Sequence, residues 1–222
     1  MSGRVVVLKL GGRVAADAVR AALERVGPSA VVVHGAGPQI TEEMARRGIE
    51  PVFVRGRRVT TPEVLEVVAS SLDAVNAEVC AALGPRAVAL RGDAIGLRAN
   101  RVRELGLVGE PEASAPPAVL DALAGGWVPV VSPLAEGPLN VNADEAAAAL
   151  AVGLGAERIV FVSDVPGVIV EGALARVLSA DEAEAGLDAG DFEGGIVPKL
   201  VAAVRAARSG VRASIGTTEV PA

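Results

Sequence analysis

Two short stretches built on one plan do most to restrict how this chain can fold. Residues 4–10, Arg-Val-Val-Val-Leu-Lys-Leu, form a β-branched apolar run closed by Gly11-Gly12, and a segment of helical spacing follows over 16–26. Residues 30–34 form a second apolar run, closed by Gly35-Ala36-Gly37-Pro38, with helical spacing again over 39–47. A strand that is apolar at nearly every position must be covered on both faces, and strands alternating with helices pair in parallel. The expectation is therefore an α/β chain with a mainly parallel sheet, its ligands held at the carboxyl ends of the strands.

The remaining chain keeps to this plan. Residues 51–60 read as two short strands around Gly56, a hairpin that could cover a site. Pro62 opens a long helix running to about residue 83, since proline suits a first helical turn. A buried strand over 87–90 precedes residues 91–112, whose glycine and charge predict a solvated excursion of short strands. A helix over 117–124 leads to a strand over 128–131, with Trp127 beside Gly126 as a packing anchor. Residues 158–162 are a strand ending in a loop over 163–168, 179–187 a short helix, and 188–195 a flexible stretch. A helix over 198–208 and a last full strand over 211–215 complete the pattern. There is no internal repeat or low-complexity linker, and a lobe boundary is placed within 133–140.

At the centre lies Leu-Asn-Val-Asn-Ala-Asp-Glu-Ala-Ala-Ala-Ala-Leu, residues 139–150. Asn142 is a good N-cap, Glu145 could reach back as in a capping box, and the alanines that follow have the highest helix propensity. Asn140, Asn142 and Asp144 thus gather at the positive end of a helix dipole, where an anionic substrate or a catalytic cation could be held. Taken alone, Asp144 need do no more than complement that dipole. Lys9 is harder to explain by structure, because a lysine inside an apolar strand needs a partner or a ligand. Lys199, at the start of a helix after Gly194-Gly195, stands where the dipole disfavours a cation.

Composition removes several function classes. The net charge of −6, with basic residues scattered, argues against a nucleic-acid surface. No apolar run reaches the roughly 20 residues of a membrane span and no leader pattern is evident, so a cytoplasmic protein with no membrane partner is expected. The single cysteine, Cys80, cannot form an internal disulfide and reads as core packing. The single histidine, His34, rules out a multi-histidine metal site within one chain. Neither Gly-x-x-x-x-Gly-Lys-Ser/Thr nor Gly-x-Gly-x-x-Gly after a strand occurs, yet the glycine turns after the first two strands open helices whose free N–H groups can take an anion.

Seven segments together carry a resemblance: Val-Val-Leu-Lys-Leu-Gly-Gly, Val-Val-Val-His-Gly-Ala-Gly-Pro-Gln-Ile, Gly-Arg-Arg-Val-Thr, Leu-Gly-Leu-Val-Gly-Glu, Asn-Val-Asn-Ala-Asp-Glu-Ala-Ala, Phe-Val-Ser-Asp-Val-Pro-Gly-Val and Gly-Gly-Ile-Val-Pro-Lys. Their order, from about Val5 to Val211, resembles that of the N-acetylglutamate kinases in the amino acid kinase family. The resemblance implies a three-layer α/β/α sandwich. Residues 1–135 would be a lobe for amino-acid binding and dimerisation, and residues 136–222 a lobe for ATP. The implied reaction moves the γ-phosphoryl group of ATP to the side-chain carboxylate of N-acetyl-L-glutamate, the second step of arginine biosynthesis. A sister kinase on carrier-linked aminoadipate or glutamate, or a non-catalytic ligand-sensing member of the fold, are the alternatives.

The resemblance also assigns roles. Lys9 and Lys199 would flank the transferring phosphoryl group, with Asp144 orienting both. Gly11, Gly12, Ala36 and Gly37 would offer backbone N–H groups to the substrate, and Arg58, helped by Asn140, would bind its α-carboxylate with a planar fork. Asp164, Val165, Pro166, Gly167, Val168 and Ile169, with Asp191, Phe192 and Glu193, match segments that contact ATP. Mg²⁺ comes with ATP and would be held largely by phosphates and water. His34 would support its glycine turn and not act as a base, since a carboxylate acceptor needs no deprotonation.

Two departures from the family pattern raise expectations of their own. Ala36 stands where glycine is usual, so its methyl could crowd the substrate. The direct run from Ala213-Ser-Ile into Gly216-Thr-Thr-Glu-Val would leave the ATP-side edge of the sheet less covered. Only Met1 to Gly3 precede the first strand, too few for an interlacing helix. The helix over 62–83 carries Val64, Leu65, Val67, Val68, Leu72 and Val75, more than one core-facing stripe requires. A two-fold homodimer that arginine does not inhibit is therefore expected.

Overall fold

The computed structural model describes residues 5–11, 16–27, 29–54, 56–162 and 165–222. The chain opens with β1 (Val6–Leu10), α1 (Ala16–Val26), β2 (Ala30–His34), α2 (Gly37–Arg46), β3 (Phe53–Val54), β4 (Arg57–Arg58) and α3 (Pro62–Leu83). It continues through β5 (Ala87–Arg91), β6 (Ala99–Arg101), a 3₁₀ turn (Arg103–Leu105), β7 (Val108–Pro111), α4 (Pro117–Ala124), β8 (Val128–Ser132), β9 (Leu134–Ala135) and β10 (Leu139–Val141). Then come α5 (Ala143–Gly153), β11 (Arg158–Val162), β12 (Ile169–Val170), β13 (Ala173–Leu174), α6 (Ala180–Ala189), α7 (Ile196–Arg208), β14 (Arg212–Ile215) and β15 (Thr218–Val220). No helix of the described residues is long and apolar enough to cross a membrane.

Seven strands form one sheet in the order β15-β14-β11-β1-β2-β8-β5. All are parallel except β15, which turns back on β14. The strand alternation divides β1 and β2 between two cores. Val7, Val31 and Val33 join the alanines of α5 and Leu200, Ala203 and Val204 of α7. Val6, Leu8, Leu10 and Val32 face the other way, toward Ala22 and Leu23 of α1 and Val79, Cys80 and Leu83 of α3. Helices thus cover both faces, giving the three layers. Burial of each such valine or leucine contributes about 1.5–3 kcal/mol, which is why these runs form central strands. β2, β8 and β5 lie on one side of β1 and β11, β14 and β15 on the other, so the strand order reverses at β1 and the crevice expected in an open α/β sheet opens at its carboxyl end.

Several sequence expectations change in the tertiary context. Residues 91–112 are not a solvated excursion: β7 pairs in parallel with β10 inside a second sheet, β6-β7-β10-β9, and Leu97, Leu105 and Val108 are buried. The edge at β14 is not left bare, because β15 pairs along β14 and Thr218 is fully buried, accepting from Val168 N (2.9 Å) and donating to Ala175 O (2.6 Å). Trp127 is 47% exposed, so it anchors the turn only in part. On α3, Val64, Leu65, Val67, Val68, Leu72 and Val75 are all buried within the chain's own core. These six side chains are therefore not available to a second subunit, contrary to the expectation from the width of the stripe.

Candidate active site

A cleft of about 570 Å³ opens at the carboxyl ends of β1 and β2. Its walls come from the glycine turns after those strands, the β3–β4 hairpin, β10, the first turn of α5 and the start of α7. Lys9, Gly11, Ala36, Gly37, Arg58, Asn140, Asp144 and Lys199 all line it, although the sequence spreads them over most of the chain.

Lys9 projects from the middle of the sheet and is 5% exposed, as is Asp144. Its Nζ lies 2.9 Å from Asp144 Oδ1. No aligned hydrogen bond reaches that oxygen, so the contact is held by charge. Asn142 places the partner: its Oδ1 caps α5, accepting from Asp144 N (2.8 Å) and Glu145 N (3.2 Å). Two charges buried without each other would each cost several kcal/mol, so the pair stands or falls together. Lys199 lies in the first turn of α7, which starts at Ile196, and its Nζ donates to Gly195 O (2.9 Å).

Arg58 is not the solvated hairpin charge that its position in sequence would allow. It is 8% exposed. Its Nη1 donates to Met44 Sδ (3.0 Å) and its Nη2 to Thr41 Oγ1 (2.9 Å), and its plane lies 4.7 Å over the Phe53 ring. Burial pulls the Arg58 guanidinium below its ordinary pKa, yet it stays charged at neutral pH. All of its described partners are neutral, so a buried positive charge faces the cleft without a carboxylate to balance it among the described residues. Asn140 Nδ2 donates to Thr60 Oγ1 (3.0 Å), which holds it against the same wall.

The glycine turns differ in what they offer. The Gly11 N–H is already directed at Val162 O over a long 3.4 Å, a correction to its expected availability, and Gly12 lies outside the described residues. Ala36 and Gly37 precede the first intrahelical bond of α2, from Ile40 N to Ala36 O (2.9 Å), so their amides are among the orphan donors of a helix start. Ala36 lines the cleft and also packs with the apolar cluster of Ile40, Met44 and Leu134. His34 is fully buried with neither ring nitrogen hydrogen-bonded, and burial is the main reason its pKa is pushed down to about 4.

The residues matched to nucleotide binding lie outside this cleft. Asp164 is not among the described residues. Val165 and Ile169 are exposed, Gly167 and Val168 are packed beneath Thr218, and Pro166 O accepts from Thr217 N (2.8 Å). Asp191 and Glu193 are exposed, while the Phe192 ring lies against Gly186 of α6.

Sequence reasoning missed one pair. Glu145 does not close a capping box. Both of its oxygens accept from Arg57, Nε to Oε1 and Nη2 to Oε2, each at 2.9 Å. Only a pattern linking the hairpin to α5 could have revealed this, since the local sequence at Glu145 fits a capping box. Phe53, which stacks on Arg58 and lines the cleft, was missed for the same reason.

Known proteins are similar to this chain in sequence and in fold. A model of the amino acid kinase family matches residues 4–217. The acetylglutamate kinase of Beutenbergia cavernae is 43% identical, over 95% of this chain and 77% of its own length. That of Acidothermus cellulolyticus is 42% identical, over 96% and 82%. Among solved structures, the smu.665 protein of Streptococcus mutans UA159 superimposes with a TM-score of 0.87 over 98% of each chain at 23% identity, a likeness of fold. With nearly all of its length matched by the family and by curated relatives well above 30% identity, the chain belongs to the amino acid kinase family.

Proposed function

We infer that the protein is a kinase that transfers the γ-phosphoryl group of ATP to the side-chain carboxylate of N-acetyl-L-glutamate, forming an acyl phosphate in the second step of arginine biosynthesis. The observation that carries this reading is a single cleft holding a buried guanidinium, Arg58, with no carboxylate partner among the described residues, together with the Lys9–Asp144 pair and Lys199. Such a cleft suits a ligand that is a carboxylate at one end and becomes a phosphate at the other. The names of the curated relatives point to the same substrate.

The acceptor carboxylate is ionised at neutral pH, so no base is required. Its oxygen attacks the γ-phosphorus, the bond to the β–γ bridging oxygen breaks, and ADP leaves. Charge spreads over the equatorial oxygens as this happens, and catalysis is positioning plus neutralisation. Lys9, held in place by Asp144, and Lys199 supply that neutralisation, helped by the Ala36 and Gly37 amides. Arg58 with Asn140 anchors the α-carboxylate. Mg²⁺ bound with the nucleotide would be held largely by phosphates and water and would lower the charge that the lysines must meet. Asp144, committed to Lys9, is not assigned to it. Residues 136–222 form the nucleotide side, with Asp164 to Ile169 and Asp191 to Glu193 as its contacts, and residues 1–135 the amino-acid side. A cytoplasmic two-fold homodimer is the assembly that the family resemblance favours. Light scattering tests it.

The carrier-linked alternative needs a basic mouth. Of the three arginines that could supply it, Arg55 lies outside the described residues, Arg57 is paired with Glu145 and Arg58 is buried, so the latter two lend little charge to the mouth. ADP release measured side by side with N-acetyl-L-glutamate, L-2-aminoadipate and L-glutamate tests the reading. Turnover confined to the first supports it, and preference for either free amino acid overturns it.

A further inference from the structure

The β3–β4 hairpin has two residues in each strand and pairs with no other sheet. Its base is fixed where Thr60 N donates to Leu105 O (2.9 Å) and Leu107 N to Thr60 O (2.8 Å). Its outer residues Val52, Phe53 and Val54 are exposed. What orients β4 over the cleft must therefore be side chains. Successive residues of a strand face opposite ways, and the two arginines of β4 do so. Arg58 reaches α2, at Thr41 and Met44, while Arg57 reaches α5, at Glu145. The strand is a bar held between two helices. One of these helices opens with the Ala36–Gly37 amides, and the other carries Asp144 in the turn that holds Glu145.

We propose that Arg57 and Glu145 are positioning residues that fix the distance from the Arg58 carboxylate anchor to the Lys9–Asp144 floor, and so set the length of dicarboxylate that the cleft accepts. This rests on the functional reading above. A bidentate fork fixes angle as well as distance, unlike a point contact. The Arg57 and Glu145 side chains are 25% and 10% exposed, so the pair is not a screened surface contact. It is not needed to cap α5, because Asn142 does that. An apolar pocket tells two ligands one methylene apart by only about 10–200-fold. A rigid bar adds to this by putting the longer ligand's reacting oxygen out of line with the phosphorus, because misplacement by one bond length is costly in phosphoryl transfer.

The test is a double-mutant cycle of Arg57→Leu, Glu145→Leu and both together, with the isosteric Glu145→Gln as the variant least disturbing to packing. Steady-state constants are measured with N-acetyl-L-glutamate and with N-acetyl-L-2-aminoadipate, one methylene longer. Backbone amide exchange of residues 52–59 is followed without ligand. Each single variant is expected to lower the preference for the shorter acceptor by about tenfold, chiefly through KM for the amino acid, with KM for ATP unmoved. The double variant should be no worse than either single one, and the Val59 amide, which donates to Val52 O, should exchange faster in all of them. An unchanged preference, or effects that multiply in the double variant, overturns the proposal. If the wild-type protein turns over neither acceptor, the functional reading fails by itself. The exchange arm then still decides the bar, and unchanged exchange in the variants overturns it.

Discussion

Acidification should remove a specific share of stability through His34. The residue ends β2 on the face that Val32 shares with α1 and α3, is fully buried, and has no hydrogen-bond partner at either ring nitrogen. Burial is the largest cause that holds it near 4, and the charge of Lys9 adds to it. The Gly35 backbone opposes this by more than Lys9 adds, although neither ring nitrogen makes an aligned hydrogen bond. In the unfolded chain the same ring titrates near 6.5. Between these values the unfolded state binds the extra proton, so stability is full above about pH 7 and falls as pH drops through 6.5 toward 4. Linkage over these two values gives a loss, relative to pH 7, of about 2 kcal/mol at pH 5 and about 3 kcal/mol at pH 4. Urea unfolding of the wild type and of His34→Leu at pH 7, 6, 5 and 4.5 isolates this share, because carboxylate contributions from Glu43, Glu182 and others are common to both. The variant should lose less stability across the range by about those amounts. Parallel curves would show that His34 is solvated or protonated in the folded protein, and the burial argument would be wrong.

Other outcomes follow from the cleft. Lys9→Ala and Lys199→Ala should each lower kcat by about a hundredfold or more, the scale seen when one preorganised charge stabiliser is removed. Single-turnover phosphoryl transfer checks this, and activity within a few-fold of wild type removes the assigned role. Arg58→Lys should raise KM for the amino-acid substrate by about tenfold, because a point charge cannot reproduce the two-pronged grip, while leaving ATP untouched. A weakened ATP site with an intact amino-acid site would mean the two sides of the cleft are assigned the wrong way round. Asn142→Ala should cost about 1 kcal/mol in chemical denaturation, since it strips the cap from the Asp144 and Glu145 amides. No loss there would mean another group takes over the helix start.

Much of the fold could be read along the chain because its signals are local. A run such as Val6–Leu10 is apolar at every position but Lys9, and only a strand between two helical layers satisfies that. Pro62 at a helix start and Asn142 as a cap each depend on neighbours within three residues, and each is present. The motif order, too, is a property of the sequence, and it carried the family and the residues that meet in the cleft.

What the sequence left open depended on partners far away along it. Glu145 fits a capping box locally and is instead engaged by Arg57, 88 positions distant, because the chain's topology sets β4 beside the first turn of α5. Residues 91–112 carry the glycine and charge of a loop, yet β7 finds β10 and is covered. The same physics decides Arg58 and α3: whether a side chain meets water or a neighbour is settled by which elements the fold stacks together. A guanidinium thus lies 8% exposed under Phe53, and six aliphatic residues of α3 that could have met a second subunit are consumed by the chain's own core.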